Sequence, residues 1–254
     1  MTKAVILAGD NKNPKVSTRG FDKNKALVNV KGFPMITYII SALNKVDEIE
    51  KVYVVGPAND LKKALEGYNI EILAERGAVL DNILVATEKI EVKPGENILL
   101  VTSDIPLITP EAIEDFIKKC QGNYDLFYPV IEKEENDRKF PDLNRTFVKF
   151  KEGNFTGGNI FFINPRKVNQ CYDMLKKIIA IRKNPIKLAM VLGLPFLINL
   201  ITGTLTLPRV ERKVSKILNI NGKAVITSYP ELGTDIDKEE DLAWLEKIST
   251  YKFI

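Results

Sequence analysis

Short apolar runs alternate with helical patterns through the first half of the chain. Apolar positions run almost unbroken, as expected for buried strands, at Ala4 to Ala8, Val52 to Val55, Ile70 to Leu73 and Ile98 to Val101. Between them, apolar residues at helical spacing predict helices at Pro34 to Leu43, Asp60 to Glu66, Asp81 to Ile90 and Pro110 to Cys120. This alternation is typical of a parallel sheet covered on both faces. The carboxyl ends of such strands share one edge of the sheet, where small ligands bind.

The predicted strands become shorter after Asn123. We expect strands at Asp125 to Ile131, Thr146 to Lys151 and Asn159 to Ile163, a charged loop from Glu132 to Asn144, a helix at Val168 to Ile181, a strand at Ala224 to Thr227 and a helix at Glu239 to Ile248. The fold class that follows is α/β, a three-layer αβα sandwich with a mostly parallel, Rossmann-like sheet. No repeat or long linker divides the sequence, so we expect a single domain in four parts: residues 1–122, 123–181, 182–215 and 216–254.

The segment Ile186 to Leu207 is apolar almost throughout. It is nearly as long as a transmembrane helix, but Gly193, Pro195, Asn199 and Gly203 interrupt it. A helical hairpin packed on the domain, or on a partner such as a second copy, is the favoured interpretation. A membrane-surface role is the alternative, because basic residues flank the segment at Arg182, Lys183, Lys187, Arg209, Arg212 and Lys213.

The composition narrows the possible chemistry. The sequence contains no histidine, which excludes Ser/His and Cys/His nucleophile pairs and histidine-ligated zinc. A balance of 37 Lys and Arg against 33 Asp and Glu mildly favours anionic partners such as phosphates, and we expect no nucleic acid. Cys120 and Cys171 lie far apart in the sequence, and no export signal is visible, so a reducing cytoplasm is the expected compartment.

Two of the predicted strands are followed, at their carboxyl ends, by residues that suit a ligand site. Gly9 follows the first strand, where a glycine lets a nucleotide approach the backbone, although taken alone this residue is explained more simply by an ordinary turn between strand and helix. Asp104 follows the strand that ends at Val101. Its carboxylate could cap the turn or hold Mg²⁺, and its apolar neighbours favour the metal.

Three further stretches carry candidate residues. Lys25 precedes a short apolar segment and could lie over triphosphate oxygens, or be a solvated surface lysine. Asp235 and Asp237 alternate before the last helix and share a face if the chain is extended there, while Asp237 and Glu240 also fit a capping box. The stretch Thr156 to Asn159 could receive an acceptor on its backbone N–H groups and the Asn159 amide, or form a simple turn.

Taken in chain order, these sequence motifs resemble those of the MobA-like NTP transferase family, within the sugar-nucleotide pyrophosphorylase superfamily. The resemblance spans nearly the entire chain. Its marks are Ala4-Val5-Ile6-Leu7-Ala8-Gly9, Asn24-Lys25-Ala26-Leu27, Ser103-Asp104-Ile105-Pro106-Leu107, Thr156-Gly157-Gly158-Asn159 and Asp235-Ile236-Asp237 before Glu240-Asp241-Leu242.

The resemblance implies a sheet of the GT-A type and Mg²⁺-dependent transfer of a nucleoside monophosphate from a nucleoside triphosphate to a phosphorylated acceptor, which could be a small molecule or lipid-linked. Residues 1–122 would then bind the nucleotide, and residues 123–181 the acceptor. The matching positions are Lys25 for the signature lysine, Asp104 and Asp237 for the metal with Asp235 as the neighbouring alternative, Leu7, Ala8, Gly9 and Asn82 for the nucleotide, and Gly157, Gly158 and Asn159 for the acceptor.

The sequence departs from the family pattern after Gly9. A longer stretch, Asp10 to Arg19, with Pro14 and no second glycine until Gly20, replaces the glycine-rich loop that carries an arginine in the family. An inactive nucleotide-binding homologue therefore stays open as an interpretation. A metal-dependent glycosyltransferase is another, although such enzymes usually carry two alternating aspartates where this chain has Asp104 alone.

Overall fold

A computed structural model of the protein describes residues 1–9, 24–143, 145–181 and 191–248. One sheet contains nine strands, and a separate two-stranded hairpin stands beside it. The strands, in chain order, are β1 (Thr2–Leu7), β2 (Asn29–Val30), β3 (Phe33–Pro34), β4 (Ile49–Gly56), β5 (Glu71–Ala74), β6 (Ile98–Thr102), β7 (Leu126–Glu132), β8 (Val148–Lys149), β9 (Asn154–Gly157), β10 (Ile160–Ile163) and β11 (Gly222–Thr227).

The main sheet is mixed but mostly parallel. Its order is β5-β4-β1-β6-β10-β7-β9-β8, with β11 paired to β7, and β2 and β3 form the hairpin. Strands β5, β4, β1 and β6 run parallel to one another, and β11 runs parallel to β7. Strand β10 is antiparallel to both β6 and β7. The α/β fold class predicted from the sequence is confirmed.

Helices cover both faces of this sheet. They are α1 (Met35–Leu43), α2 (Ala58–Ala64), α3 (Val79–Lys89), α4 (Pro110–Lys119), α5 (Lys133–Lys139), α6 (Pro165–Ile181), α7 (Leu194–Ile201), α8 (Leu207–Leu218) and α9 (Glu239–Lys247), with 3₁₀ turns at Lys25–Leu27 and Pro230–Leu232. Even positions of β1, such as Ala4 and Ile6, pack with α1, α2 and α4. Odd positions, such as Val5 and Leu7, pack with α3 and α6. The two hydrophobic cores therefore lie on opposite sides of the sheet, as the alternation of side chains along a strand requires.

Helix α4 begins where its sequence signals predicted. The Thr109 hydroxyl accepts a hydrogen bond from the Ala112 N–H over 3.2 Å, and Pro110 occupies the first helical position. Both features satisfy or remove N–H groups that the first helical turn leaves unpaired.

The predicted charged loop from Glu132 to Asn144 was wrong in part, because it contains helix α5. The helix lacks an apolar stripe, and its charges pair along its own surface, Lys133 with Asp137 and Arg138 with Glu135. Such pairs stabilise a short helix without any apolar periodicity that a sequence reading could detect.

Two other predictions in the second half of the chain need correction. The strand expected at Thr146 to Lys151 is reduced to Val148–Lys149, and a strand not predicted from the sequence, β9, runs into Gly157. The capping box expected at Asp237 and Glu240 was also wrong. Helix α9 starts one residue later, and the Asp241 carboxylate accepts hydrogen bonds from the N–H groups of Asp237 and Lys238.

The predicted apolar segment Ile186 to Leu207 is described only from residue 191 onward. There the chain forms α7 and then turns at Gly203, whose φ of +66° suits a glycine. Helix α8 starts at Leu207 and ends at Leu218, where Asn219 takes the left-handed conformation. No helix within the described ranges is both long and apolar enough to cross a membrane.

Candidate active site

The candidate site lies where β1 and β6 end side by side. Leu7 is the register partner of Thr102 in this parallel pair. Gly9 and Asp104 each follow two residues later, so both come from neighbouring strand ends on the same edge of the sheet. This is the position at which the sequence predicted a ligand site.

Lys25 is held at this edge by its neighbour Asn24. The Asn24 amide donates a hydrogen bond to the Ala8 carbonyl over 3.0 Å, and its oxygen accepts one from the Ala26 N–H over 3.0 Å. Ala26 and Leu27 are fully buried and anchor the 3₁₀ turn that carries Lys25. Asn24 belongs to the motif recognised in the sequence, but its role in fixing Lys25 against β1 was not predicted.

Asp104 is oriented by contacts on two sides. The Thr102 hydroxyl lies 2.6 Å from Asp104 Oδ1 and donates to it. The Asp104 backbone carbonyl accepts a hydrogen bond from the Ile236 N–H over 2.9 Å. Because Ile236 lies between Asp235 and Asp237, this bond brings a segment more than 130 residues later in the chain alongside Asp104.

The four charged residues predicted from the sequence meet at this point. Lys25 Nζ lies 2.6 Å from Asp104 Oδ2 and also bonds Asp237 Oδ1. Carboxylate oxygens of Asp104, Asp235 and Asp237 all lie within 4.8 Å of one another. An all-oxygen donor set of this kind fits a hard divalent cation such as Mg²⁺, which also keeps water ligands. We call these three aspartates the acidic cluster.

The electrostatics of the site are those of crowded, half-buried charges. Burial alone would lower the pKa of Lys25, but the adjacent Asp104 and Asp237 outweigh it and hold the pKa above its ordinary value. Burial raises the pKa of Asp235, Arg145 opposes that rise, and Asp104 and Asp237 add to it. Burial and the neighbouring carboxylates therefore disfavour the ionised form of Asp235, an effect that a bound divalent cation would offset.

Arg145 is a residue of this site that sequence analysis missed. Its guanidinium lies 2.7 Å from Asp235 Oδ1, and its side chain is only 14% exposed. Its Nε is buried and bonds no group in the described part of the protein. No motif marks Arg145 in the sequence, since it stands at the end of a charged stretch rich in lysine and glutamate.

Asn82 lies against Gly9 at the other side of the site. Its oxygen accepts from the Arg76 N–H over 2.9 Å, and its amide nitrogen donates to the Gly77 carbonyl over 3.3 Å. A Cβ added at Gly9 would stand 2.3 Å from the Asn82 amide nitrogen, so only glycine allows this approach. The predicted nucleotide residues Leu7, Ala8, Gly9 and Asn82 thus lie together.

The predicted acceptor stretch borders the end of β6. The Asn159 carbonyl accepts from the Thr102 N–H over 3.0 Å. The N–H groups of Gly158 and Asn159 already donate to the carbonyls of Pro129 and Leu232, so neither is free for a ligand. The Asn159 amide nitrogen is buried and has no partner among the described residues. Contact with an acceptor here would therefore come from the Asn159 side chain, and not from these backbone groups.

Comparisons with known proteins identify the family of the chain and relatives that share its fold. The family described as the MobA-like NTP transferase domain matches residues 4–193. A solved structure from Thermus thermophilus, described as a hypothetical transferase, is 32% identical with a TM-score of 0.84, covering 95% of this chain and 100% of that one. The fold is shared with a CMP:2-keto-3-deoxy-manno-octonic acid synthetase complexed with CTP, at 14% identity and a TM-score of 0.62, covering 96% of this chain and 97% of that one.

Among curated proteins, the bifunctional protein GlmU of Parvibaculum lavamentivorans is 27% identical over 128 residues, which is 48% of this chain. The match spans only 27% of the length of that relative. The family match covers most of this chain and agrees with the resemblance drawn from its motifs. The chain therefore belongs to the MobA-like NTP transferase family.

Proposed function

We propose that the protein transfers a nucleoside monophosphate from a nucleoside triphosphate to a phosphorylated acceptor, with release of pyrophosphate. The observation that carries the proposal is the convergence of Lys25 with the acidic cluster at the strand ends. The family match supports nucleotidyl transfer over glycosyl transfer. Lys25 and Asp104 come from the first part of the chain and Asp235 and Asp237 from the last, so we also propose that all four parts form one catalytic domain.

In the proposed reaction, a phosphate oxygen of the acceptor attacks the α-phosphorus of the nucleotide. A new P–O bond forms, the bond to the bridging oxygen breaks, and its electron pair leaves with pyrophosphate. The attacking phosphate is already ionised at neutral pH, so no general base is needed and the missing histidine is not a loss. The chain has to align the two phosphates and neutralise charge.

The roles of the chain's own residues follow from their contacts. Asp104 and Asp237, with Asp235 adjacent, would hold Mg²⁺. When bound there, the cation supplies charge neutralisation on the triphosphate oxygens. Lys25 is bonded to two of these carboxylates without substrate, and we propose that it moves onto the leaving pyrophosphate oxygens when the nucleotide binds. The buried nitrogens of Arg145 and Asn159 have no partner in the described ranges, and we propose that they donate to the acceptor phosphate when its binding makes them accessible.

The direct test is pyrophosphate release with GTP, CTP, UTP and ATP against a panel of phosphorylated acceptors. Asp104→Asn should lower turnover on the order of 100-fold, the usual effect of losing one electrostatic contact in the transition state. Asp60→Asn, which removes an exposed carboxylate from the first turn of α2, is the matched control and should leave turnover unchanged. Wild-type turnover in Asp104→Asn would contradict the metal role.

The same experiment, together with the unfolding temperature, distinguishes an active enzyme from an inactive nucleotide-binding protein. In that case no nucleotide and acceptor pair releases pyrophosphate, while a nucleotide with Mg²⁺ still raises the unfolding temperature through binding to the folded state. The stretch Asp10 to Arg19, which motivates this alternative, lies outside the described residues.

We also propose that the surface formed by α7 and α8 contacts an anionic membrane, which would bring the enzyme to a lipid-linked acceptor. Leu194, Ile198 and Ile201 lie along one face of α7 and are 64%, 51% and 76% exposed. Beside them, α8 presents Arg209, Arg212, Lys213 and Lys216, none of which pairs with a carboxylate within the described ranges. Exposed apolar residues next to unpaired cations are typical of helices that bind at a lipid surface.

Flotation with vesicles tests the membrane proposal. The protein should float with vesicles that contain phosphatidylglycerol and remain soluble with pure phosphatidylcholine. The double change Ile198→Ser and Ile201→Ser should abolish flotation, whereas Phe33→Ser, at an apolar residue 50% exposed in the β2–β3 hairpin, should not. A wild-type protein that stays soluble with both vesicles refutes the proposal, and self-association in sedimentation would then identify a second copy as the partner.

A further inference from the structure

An apolar cavity lies between helix α8 and the far half of the sheet. Its volume is about 270 Å³. Leu207, Val210 and Val214 of α8 form one wall, and Tyr128, Phe155 and Ala224 of the sheet form the opposite wall. We call this space the apolar cavity.

The charged groups in its lining neutralise each other. The Glu211 carboxylate accepts from the Ala224 N–H over 2.9 Å and lies 3.3 Å from Lys223 Nζ. A wall whose charges are paired in this way leaves a mainly apolar interior, which favours a hydrocarbon over a polar ligand.

The inner end of the apolar cavity adjoins the proposed acceptor site. Gly157 lines the cavity, and the Tyr128 hydroxyl packs so closely on it that an added Cβ would stand 1.7 Å from that oxygen. Burial raises the pKa of Tyr128, while the nearby Arg145 guanidinium opposes the rise. Arg145 in turn bonds Asp235 of the acidic cluster. The neighbouring side chains of Asp235, Arg145 and Tyr128 therefore link the acidic cluster to the wall of the apolar cavity.

The outer end of the apolar cavity reaches solvent. Val148, which contributes to its lining, is 37% exposed. Ile226 follows Ala224 by two residues on the same face of β11 and is 44% exposed. The apolar surface thus extends outward from the cavity, and the opposite face of α8 carries the cations described above.

We propose that the apolar cavity binds the hydrocarbon group of the acceptor, and that the acceptor is a phosphomonoester of an alkyl or prenyl group. The inference rests on the proposed function, which supplies the phosphate end of this molecule beside Arg145. A cavity of about 150 Å³ admits benzene, so this one accommodates on the order of ten carbon atoms. Each methylene that leaves water for the cavity should tighten binding by roughly fourfold.

A series of alkyl phosphates of increasing chain length tests this inference without any nucleotide. Calorimetric titration of methyl, butyl, hexyl and octyl phosphate should show dissociation constants that fall steadily with chain length. Ala224→Phe and Val210→Phe, which fill the cavity from opposite walls, should each abolish this dependence and leave the weak affinity for methyl phosphate unchanged. Val79→Phe adds a ring at a position of α3 that is 47% exposed and does not line the cavity, and it should retain the dependence.

Unfolding curves show whether each variant is folded. Because the two cavity-filling variants lie in different elements, the test still stands if one of them does not fold. The inference is overturned if chain length does not change wild-type affinity, or if the dependence survives in a folded cavity-filling variant. Failure of the proposed function gives a different result, because pyrophosphate release would then be absent while binding of the alkyl phosphates still followed chain length.

Discussion

Replacing Lys25 by methionine should have opposite effects on metal binding and on catalysis. The Lys25 ammonium bonds Asp104 and Asp237 directly, so it occupies oxygens that Mg²⁺ would also use. Lys25→Met keeps much of the side-chain volume and removes the charge. The three aspartates of the acidic cluster are then left without this internal cation.

The distances between the carboxylate oxygens give the size of the expected loss of stability in Lys25→Met. Two unit charges separated by 4.8 Å, the largest separation within the acidic cluster, repel by about 3.5 kcal/mol at an effective dielectric constant near 20. Asp237 is 61% exposed, and solvent screening reduces its share. We therefore expect a loss of about 2 to 3 kcal/mol in the free energy of unfolding without metal, which corresponds to a fall of about 5 to 10 °C in unfolding temperature.

Thermal unfolding in EDTA and in MgCl₂ measures both parts of this prediction. Mg²⁺ should stabilise Lys25→Met more than wild type, because no ammonium competes for the carboxylates, while nucleotidyl transfer should be lost. Lys51→Met removes one partner of a surface pair with Glu71 and should change neither stability nor the Mg²⁺ response by much. The reasoning is refuted if Lys25→Met is as stable as wild type in EDTA, or if Mg²⁺ stabilises the two proteins equally.

Three further predictions concern the surroundings of the site and the packing of the fold. Gly9→Ala should displace the Asn82 amide and weaken nucleotide affinity by about tenfold in calorimetric titration, and unchanged affinity would exclude this contact from the nucleotide site. Lys139→Met should lower the free energy of unfolding, measured in urea, by about 3 kcal/mol, because it removes the ammonium 2.7 Å from the fully buried Glu231 carboxylate. A loss below about 1 kcal/mol would be inconsistent with this pairing. Burial raises the pKa of Cys120 to about 12, so at pH 8 its reaction with a thiol reagent should be roughly a thousandfold slower than that of a free thiol, and a free-thiol rate would contradict the packing.

The sequence was sufficient to predict the first half of the fold. Strands β1, β4 and β6 are apolar on both faces, helix α1 is apolar almost throughout and is buried, and helix α3 buries one face, so local pattern and tertiary environment agree. The strand-end position of Asp104 followed from that pattern, because a parallel sheet gathers its carboxyl ends at one edge.

The elements that the sequence could not predict depend on distant partners. Strand β9 exists because Thr156 and Gly157 pair with β7, more than twenty residues earlier. In the sequence, Gly157 and Gly158 were also consistent with a simple turn. Helix α5 has paired charges in place of an apolar stripe. Local propensity carries little information about such elements, which tertiary contacts decide.

The residues of the candidate site also divide into those that local motifs predict and those that only distant contacts bring in. Lys25, Asp104 and Asp237 stand in recognisable motifs, whereas Arg145 has no local mark and joins the site through its ion pair with Asp235, which is distant in the sequence. Asn24 was part of a motif, but its hydrogen bond to Ala8 becomes visible only when β1 and the 3₁₀ turn are placed together. The apolar cavity is likewise a product of packing between α8 and the sheet.

The most direct test of the central claim is a crystal structure of the protein with Mn²⁺ in place of Mg²⁺ and an α,β-methylene nucleoside triphosphate, which cannot release pyrophosphate. We expect an anomalous Mn²⁺ peak bound by Asp104 and Asp237, with Lys25 moved from these carboxylates onto the triphosphate. A nucleotide bound away from the ends of β1 and β6, or a metal with no contact to the acidic cluster, would contradict it.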